Sequence, residues 1–138
     1  MQRYLLDTGP LAAYLLGRRK ATARIDPLID DEGAVTSIIV YGEVEEYIKT
    51  MPNYAALHLD LQRQLRSIRP LMITYRIMEL YADIRLRMRA PHGTGVLQDS
   101  DSLIAATALR HKLTVIMSNK KDFERVPGLS VEGLITGR

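Results

Sequence analysis

A few carboxylates at particular places in this chain could do chemistry together. Asp7 closes the run Arg3-Tyr4-Leu5-Leu6-Asp7-Thr8-Gly9-Pro10, an apolar stretch ended by an acid and then by turn formers. A buried strand reads this way when it delivers a carboxylate to the carboxyl edge of a sheet, the edge at which open α/β sheets bind ligands. The same residue also suits a turn or a helix N-cap. Glu43 lies in Ser37-Ile38-Ile39-Val40-Tyr41-Gly42-Glu43-Val44. If Val40, Val44, Tyr47, Ile48 and Met51 form that helix's buried stripe, Glu43 lies at its edge, while Glu45 and Glu46 point further away. A half-buried Glu satisfied by a neighbouring Arg is the alternative. Asp101 shares one side of its helix with Ile104, Ala105 and Ala108, in the first turn, where the helix dipole favours its ionised form. Its neighbour Asp99 better fits an ordinary N-cap. Ser118-Asn119 follows the most strand-like run in the chain, with Asp122 a short turn later.

If the first strand and the strand at Leu113–Met117 are neighbours, Asp7 and Ser118-Asn119 flank one crevice, with Glu43 and Asp101 above it. Several carboxylates in one pocket repel each other and stay ionised only with a cation among them. An oxygen-only donor set, without His or Cys, calls for a hard ion, Mg²⁺ or Mn²⁺. Such an ion binds phosphate oxygens and activates water.

Short apolar runs alternating with longer amphipathic stretches must position these groups, the pattern of a parallel sheet covered by helices. Strands are expected at the start, at Gly33–Thr36, at Pro70–Thr74, at Leu113–Met117 and, as an edge, at Leu129–Leu134. Helices are expected over Leu11–Leu16, onward to Ile29, from the cap Ser37 to Met51, over Asn53–Ile68, Ile77–Arg89 and Asp101–His111. Gly17 is placed to end the first helix, Pro91–Gly95 reads as a loop, and Asp122-Phe123-Glu124 as a turn or short helix. In the Asn53–Ile68 helix, Tyr54, Leu57, Leu61, Leu65 and Ile68 form one stripe.

The 138 residues fit one domain, spanning 1–138, with a real core. With 46% hydrophobic and 25% charged residues the composition is that of a soluble globular protein. Neither a membrane span nor a secretory signal is expected, and a cytoplasmic location suits the chain. The lack of cysteine excludes disulfides and thiolate metal sites. The net charge of +3 is mild, yet an acidic pocket would leave the remaining surface more basic than that total, which suits a polyanionic substrate.

Leu5-Leu6-Asp7-Thr8, Ser37 through Gly42-Glu43, Asp101-x-x-Ile104-Ala105-Ala106-x-Ala108, and Ser118-Asn119-x-x-Asp122-Phe123 with Val126-Pro127-Gly128-Leu129 together resemble the PIN-domain family, and within it the VapC-type toxins of toxin–antitoxin pairs. The resemblance runs over nearly the whole chain. It implies a three-layer α/β/α sandwich with a mainly parallel sheet ordered 3-2-1-4-5. It also implies Mg²⁺- or Mn²⁺-dependent endoribonuclease activity on RNA leaving 5′-phosphate and 3′-hydroxyl ends, a homodimer, and inhibition by a small antitoxin. By this match Asp7, Glu43 and Asp101 are the first three metal-binding acids and the catalytic residues. The fourth position departs from the pattern: Asn119 stands where many members carry Asp and could ligate the metal through its uncharged carbonyl oxygen, with Asp122, a further metal-ligand candidate, or Asp99 to supply the missing charge. Thr8 and Ser118 would orient carboxylates. Arg18, Arg19, Lys20, Lys120 and Lys121, near the expected carboxyl edge, are candidates for the RNA backbone. The Asn53–Ile68 and Ile77–Arg89 helices, through Tyr54, Leu57, Tyr81 and Met88, are candidates for partner contact.

Two other readings share the acidic site: a receiver-like module that accepts a phosphoryl group, and a catalytically decayed PIN module that binds RNA or a partner without cleaving. The receiver wants paired acids after the first strand and an Asp after the third. Here Asp7 stands alone and the third strand ends in Thr74-Tyr75-Arg76.

Overall fold

A computed structural model describes residues 2–89, 95 and 97–135. Five strands, β1 (Tyr4–Leu6), β2 (Ala34–Ser37), β3 (Arg69–Leu71), β4 (Thr114–Met117) and β5 (Ser130–Gly133), form one sheet in the order β3-β2-β1-β4-β5. Every pairing is parallel. The helices α1 (Thr8–Leu15), α2 (Arg19–Asp30), α3 (Ile38–Ile48), α4 (Tyr54–Gln64), α5 (Tyr75–Met88), α6 (Asp99–His111) and α7 (Lys120–Glu124) complete an α/β sandwich. The loop expected at Pro91–Gly95 lies outside the described residues except for Gly95.

The strand sequences explain the sheet order. Leu5 and Leu6 are wholly buried, β2 is buried along its length, and Val115, Ile116 and Met117 are at most 1% exposed. Strands apolar in succession must be covered on both faces, and they occupy the middle of the sheet. The less apolar β3 and β5 take the edges. One polar side chain is built into this centre: buried Thr36 donates from Oγ1 to the Leu6 carbonyl at 2.8 Å, satisfying itself and tying β2 to the end of β1. Among the described residues no helix is long and apolar enough to cross a membrane.

Local signals set most helix limits. Ser37 accepts a hydrogen bond from the Ile39 amide and caps α3, and Thr74 caps α5 through the Ile77 amide. Gly17, at φ 72°, ends α1 with its N–H on the Tyr14 carbonyl, while the Arg18 N–H reaches Ala13. The third strand and the α4 helix are both shorter than their sequence patterns.

Three expectations about helix faces are corrected. Glu45, expected to point away, is buried, and Tyr47, expected in the buried stripe, is 42% exposed. The buried side of α3 is turned toward α4, whose Tyr54 donates to Glu45 Oε2 at 3.0 Å and whose His58 Nδ1 contacts Glu45 Oε1. Of the candidates for partner contact, Leu57 and Met88 are core residues, Tyr54 is held by Glu45, and Tyr81 bonds Asp99. The exposed apolar side chains on α4 and α5 are instead Leu59, Tyr75, Met78 and Leu86. Asp99 is not the N-cap of α6. Gln98 holds that place, and Asp99 pairs with Arg85 at 2.7 Å.

The edge strand β5 has its own clasp. Arg24 of α2 grips Glu132 with two hydrogen bonds, at 2.6 and 2.9 Å, while its guanidinium lies 5.0 Å from the Tyr4 ring centre. The Arg24 hydrogen bonds hold the Glu132 carboxyl below its ordinary range. About a third of each side chain remains in water, so the pair is worth about 1 kcal/mol rather than the full strength of a buried fork. Arg24→Ala is expected to lower stability by about that amount. Hydrogen exchange should speed up in β5 while β1 and β4 stay protected, and uniform acceleration across the sheet would show that the clasp is not local.

Candidate active site

The carboxyl edge of the sheet collects the acids. The Asp7 amide still bonds the Ile116 carbonyl, at 2.9 Å, extending the β1–β4 ladder by one residue before the chain turns into α1. Asp7 stands in the N-cap position of α1, but its side chain accepts no capping hydrogen bond. Its carboxylate is thus left for other use. Half-buried, it is pushed up to about 6 by desolvation and, in lesser part, by the charges of Asp101 and Glu43, while the Thr8 backbone N–H pulls it down. The Asp101 carboxyl is also raised, by burial first and then by Glu43 and Asp122. Glu43 is therefore the charge that both aspartates feel.

Thr8 fixes Glu43. Its Oγ1 donates to Glu43 Oε1 at 2.6 Å, joining the first turn of α1 to α3. On the other side, Gly9 lets β4's exit approach closely: a Cβ at Gly9 would lie 2.3 Å from Ser118 Oγ. The β1–α1 turn thus touches both α3 and the segment after β4. The resemblance pointed to Thr8 as a group that orients a carboxylate, whereas the close Gly9–Ser118 approach shows in no one-dimensional pattern.

The residues after β4 divide their roles. Asn119 caps α7, its Oδ1 accepting from the Lys121 amide at 3.3 Å. Asp122 is the acid whose charge reaches Asp101, and its Oδ1 lies 3.5 Å from an Arg125 guanidinium nitrogen. Asp99 is 76% exposed and engaged with Arg85. Of the basic candidates, Arg18 lines an apolar groove of about 320 Å³ that begins at Thr8 and Gly9 and continues along Ala12, Leu16 and Tyr47. Arg19 and Lys20 are exposed in the first turn of α2, Lys120 is within 3.4 Å of Glu124, and Lys121 is exposed.

Among the described residues, no three His, Cys, Asp or Glu side chains converge into a ready metal cage. The acids are coupled through charge rather than through contact. That arrangement fits a hard divalent ion that keeps several waters and takes one or two carboxylates directly. The donors are all oxygen, burial and then mutual repulsion raise two of them, and a cation would favour their ionised forms.

A five-stranded parallel sheet in this order, with acids at the end of the central strand and on the helices beside it, defines a class of α/β protein distinct from receiver modules, whose sheet runs 2-1-3-4-5. The family model for the PIN domain matches residues 4–129, and the chain belongs to the PIN domain family. Solved structures with the same fold include VapBC2 from Rickettsia felis bound to a promoter DNA fragment, at 19% identity and a TM-score of 0.83, covering 96% of this chain and 98% of that one. FitAcB from Neisseria gonorrhoeae is 26% identical over 93% of this chain and 95% of that one, with a TM-score of 0.79. A toxin–antitoxin complex from Klebsiella pneumoniae is 26% identical over 91% and 94%, with a TM-score of 0.71. No curated protein matches the chain.

The raised Asp7 predicts a pH effect on the metal-free protein. Its folded value, about 6, lies above the ordinary 3.8, so the folded chain holds a proton there that the unfolded chain has lost. The resulting stabilisation is complete below pH 3.8 and is lost as pH rises through 6. At pH 7 the ionised Asp7 therefore costs the fold up to about 3 kcal/mol. Asp7→Asn should raise the thermal midpoint of metal-free protein at pH 7 and leave it nearly unchanged at pH 4. An equal shift at both values would rule out the charge as the cause.

Proposed function

We propose that this chain is a divalent-metal-dependent endoribonuclease and the toxin of a toxin–antitoxin pair, with one PIN domain over its length. PIN domains are generally nucleases. The observation that carries the finer reading is the electrostatic coupling of Asp7, Glu43 and Asp101 at the carboxyl edge. Asp7 and Asp101 would hold Mg²⁺ or Mn²⁺, with Glu43 held ready by Thr8 and contributing directly or through water. Asp122 adds the fourth charge that the capping role of Asn119 does not supply. When bound, the ion supplies Lewis acidity toward the phosphoryl oxygens and favours deprotonation of water.

The chain's own part is to place that charge and orient the phosphodiester. Asp7 is fixed by the β1–β4 ladder and Glu43 by Thr8, so neither need reorganise as charge develops. A water oxygen bonds to phosphorus, the 3′-oxygen leaves and takes up a proton, and the products carry 5′-phosphate and 3′-hydroxyl ends. Arg18, which lines the groove together with Thr8 and Gly9, is the basic candidate that would meet the RNA backbone there.

The partner reading rests on the neighbours, which include a toxin–antitoxin complex and VapBC2. A small antitoxin is the proposed partner, and the apolar groove from Thr8 to Tyr47 is the surface beside the acids that it would cover. Met72, Tyr75 and Met78, exposed together at the start of α5, support a homodimer.

Incubation of the purified chain with RNA tests the enzyme. Cleavage is expected with Mn²⁺ or Mg²⁺ and none with chelator. Asp7→Asn and Asp101→Asn should each lower the rate by at least about 100-fold. Full activity in Asp101→Asn would overturn the site, and metal-independent binding of RNA without cleavage would favour the decayed module.

A further inference from the structure

The opposite edge of the sheet holds a second cleft. A cavity of about 490 Å³ opens where β2 and β3 begin, lined by Gln2, Ile29, Glu32, Arg66, Ser67 and Arg69. Arg69 is paired in register with Val35 at the start of β3, whereas Asp7 follows the carboxyl end of β1. The two places are at opposite ends of the strands.

The cleft's walls are fixed. The turn that carries Arg66 and Ser67 is closed by hydrogen bonds from Arg66 N–H to Arg63, and from Ser67 and Ile68 N–H to Gln64. Ile68, between the two arginines, is wholly buried and anchors them. Across the cleft Glu32 sits at φ 54°, its backbone held by Ile29, in the turn that ends α2. Neither Arg66 nor Arg69 forms a side-chain ion pair or hydrogen bond with a described residue. The field of this edge reaches further: His111, at the end of α6, is lowered by burial and then by Arg110 and Arg69.

We propose that this cleft binds one nucleotide unit, with its phosphate on Arg66 and Arg69 and its hydroxyl or amino donors on Glu32. Two guanidinium forks match phosphate oxygens. Glu32 speaks against a bare polyanion, which it would repel, and for a ligand that brings donors as well as acceptors. Ribose hydroxyls and base N–H groups are such donors. Half-buried Ile29 gives the ring an apolar wall, Ser67 and Gln2 add polar contacts, and the volume falls in the range of small-ligand sites. The unit comes either from a free mononucleotide or from an RNA whose chain passes this edge. The proposal does not depend on the nuclease reading.

Titration of the full chain in chelator, where no cleavage occurs, separates the sources. The probes are the four ribonucleoside 5′-monophosphates, pyrophosphate and a ten-nucleotide RNA, read by amide NMR shifts and fluorescence anisotropy. A monophosphate should bind and shift resonances at Arg66–Arg69 and Glu32. Arg66→Ala/Arg69→Ala, checked for folding by circular dichroism, should weaken it by at least about tenfold, and Arg76→Ala, a surface arginine in the first turn of α5 that pairs with Glu79, should not. If RNA affinity falls in parallel with a shallower salt dependence, the nucleotide belongs to RNA. If RNA affinity holds, the ligand is free nucleotide. Pyrophosphate binding as tightly as any nucleotide, tightened further by Glu32→Gln, would overturn the proposal in favour of a simple anion site. Binding of every probe unchanged in the double variant would overturn it outright.

Discussion

Repulsion among Asp7, Glu43 and Asp101 is the constraint on which the carboxyl edge depends. Two of these carboxyls are raised above their ordinary range, and each feels Glu43. A fold that buries like charges near one another is less stable for it, unless something of opposite sign is bound. Nothing in the packing requires an acid at any of these places. Asp7 does no capping, although it stands in a capping position. The acids therefore read as a site held in place by the sheet rather than as part of what holds the sheet together.

The β1–α1 turn makes that tolerable. Asp7 is pinned by its amide to Ile116, Thr8 reaches Glu43, and Gly9 leaves room for Ser118. Three consecutive residues thus contact three different elements. Thr36 does the corresponding work inside the sheet, tying β2 to the Leu6 carbonyl one residue before Asp7. Rigid placement by backbone and hydroxyl groups lets the carboxylates stay near one another without neutralising partners. Asp99, paired with Arg85 at 2.7 Å, lies outside the coupled set, whereas Asp122, with Arg125 at the longer 3.5 Å, still reaches Asp101.

The sequence made the strands and the edge place of the last one legible, because each is written in a local pattern, and it brought Asp7, Glu43 and Asp101 forward as candidates; the strand order came from the resemblance. Apolar runs mark buried strands, Ser37 marks a cap, and Gly17 marks a stop. What was hidden depends on contacts between elements. Periodicity placed Tyr47 inside and Glu45 outside, and the opposite holds because α4 folds back on one flank of α3. The same blindness left Asn119, Asp122 and Asp99 as alternatives for the fourth position. A cap bond occupies the first, and both acids have an arginine partner, but of the three only Asp122 is felt by Asp101.

The mild net charge of +3 conceals a polarity along the strands. Parallel strands place all their carboxyl ends together and all their amino ends together, so residues flanking them segregate by position rather than averaging out. Here acids gather at one end, while Arg66, Arg69, Arg110 and His111 stand at or near the other. His111 is lowered by burial and then by Arg110 and Arg69, and the aspartates at the opposite edge are raised by burial and then by neighbouring acids. A phosphate group approaching such a molecule is repelled by the bare acids at one edge, and at the other it meets Arg66 and Arg69 with Glu32 beside them. In the proposed reading a divalent ion at the acids would offset part of the repulsion there without touching the other edge.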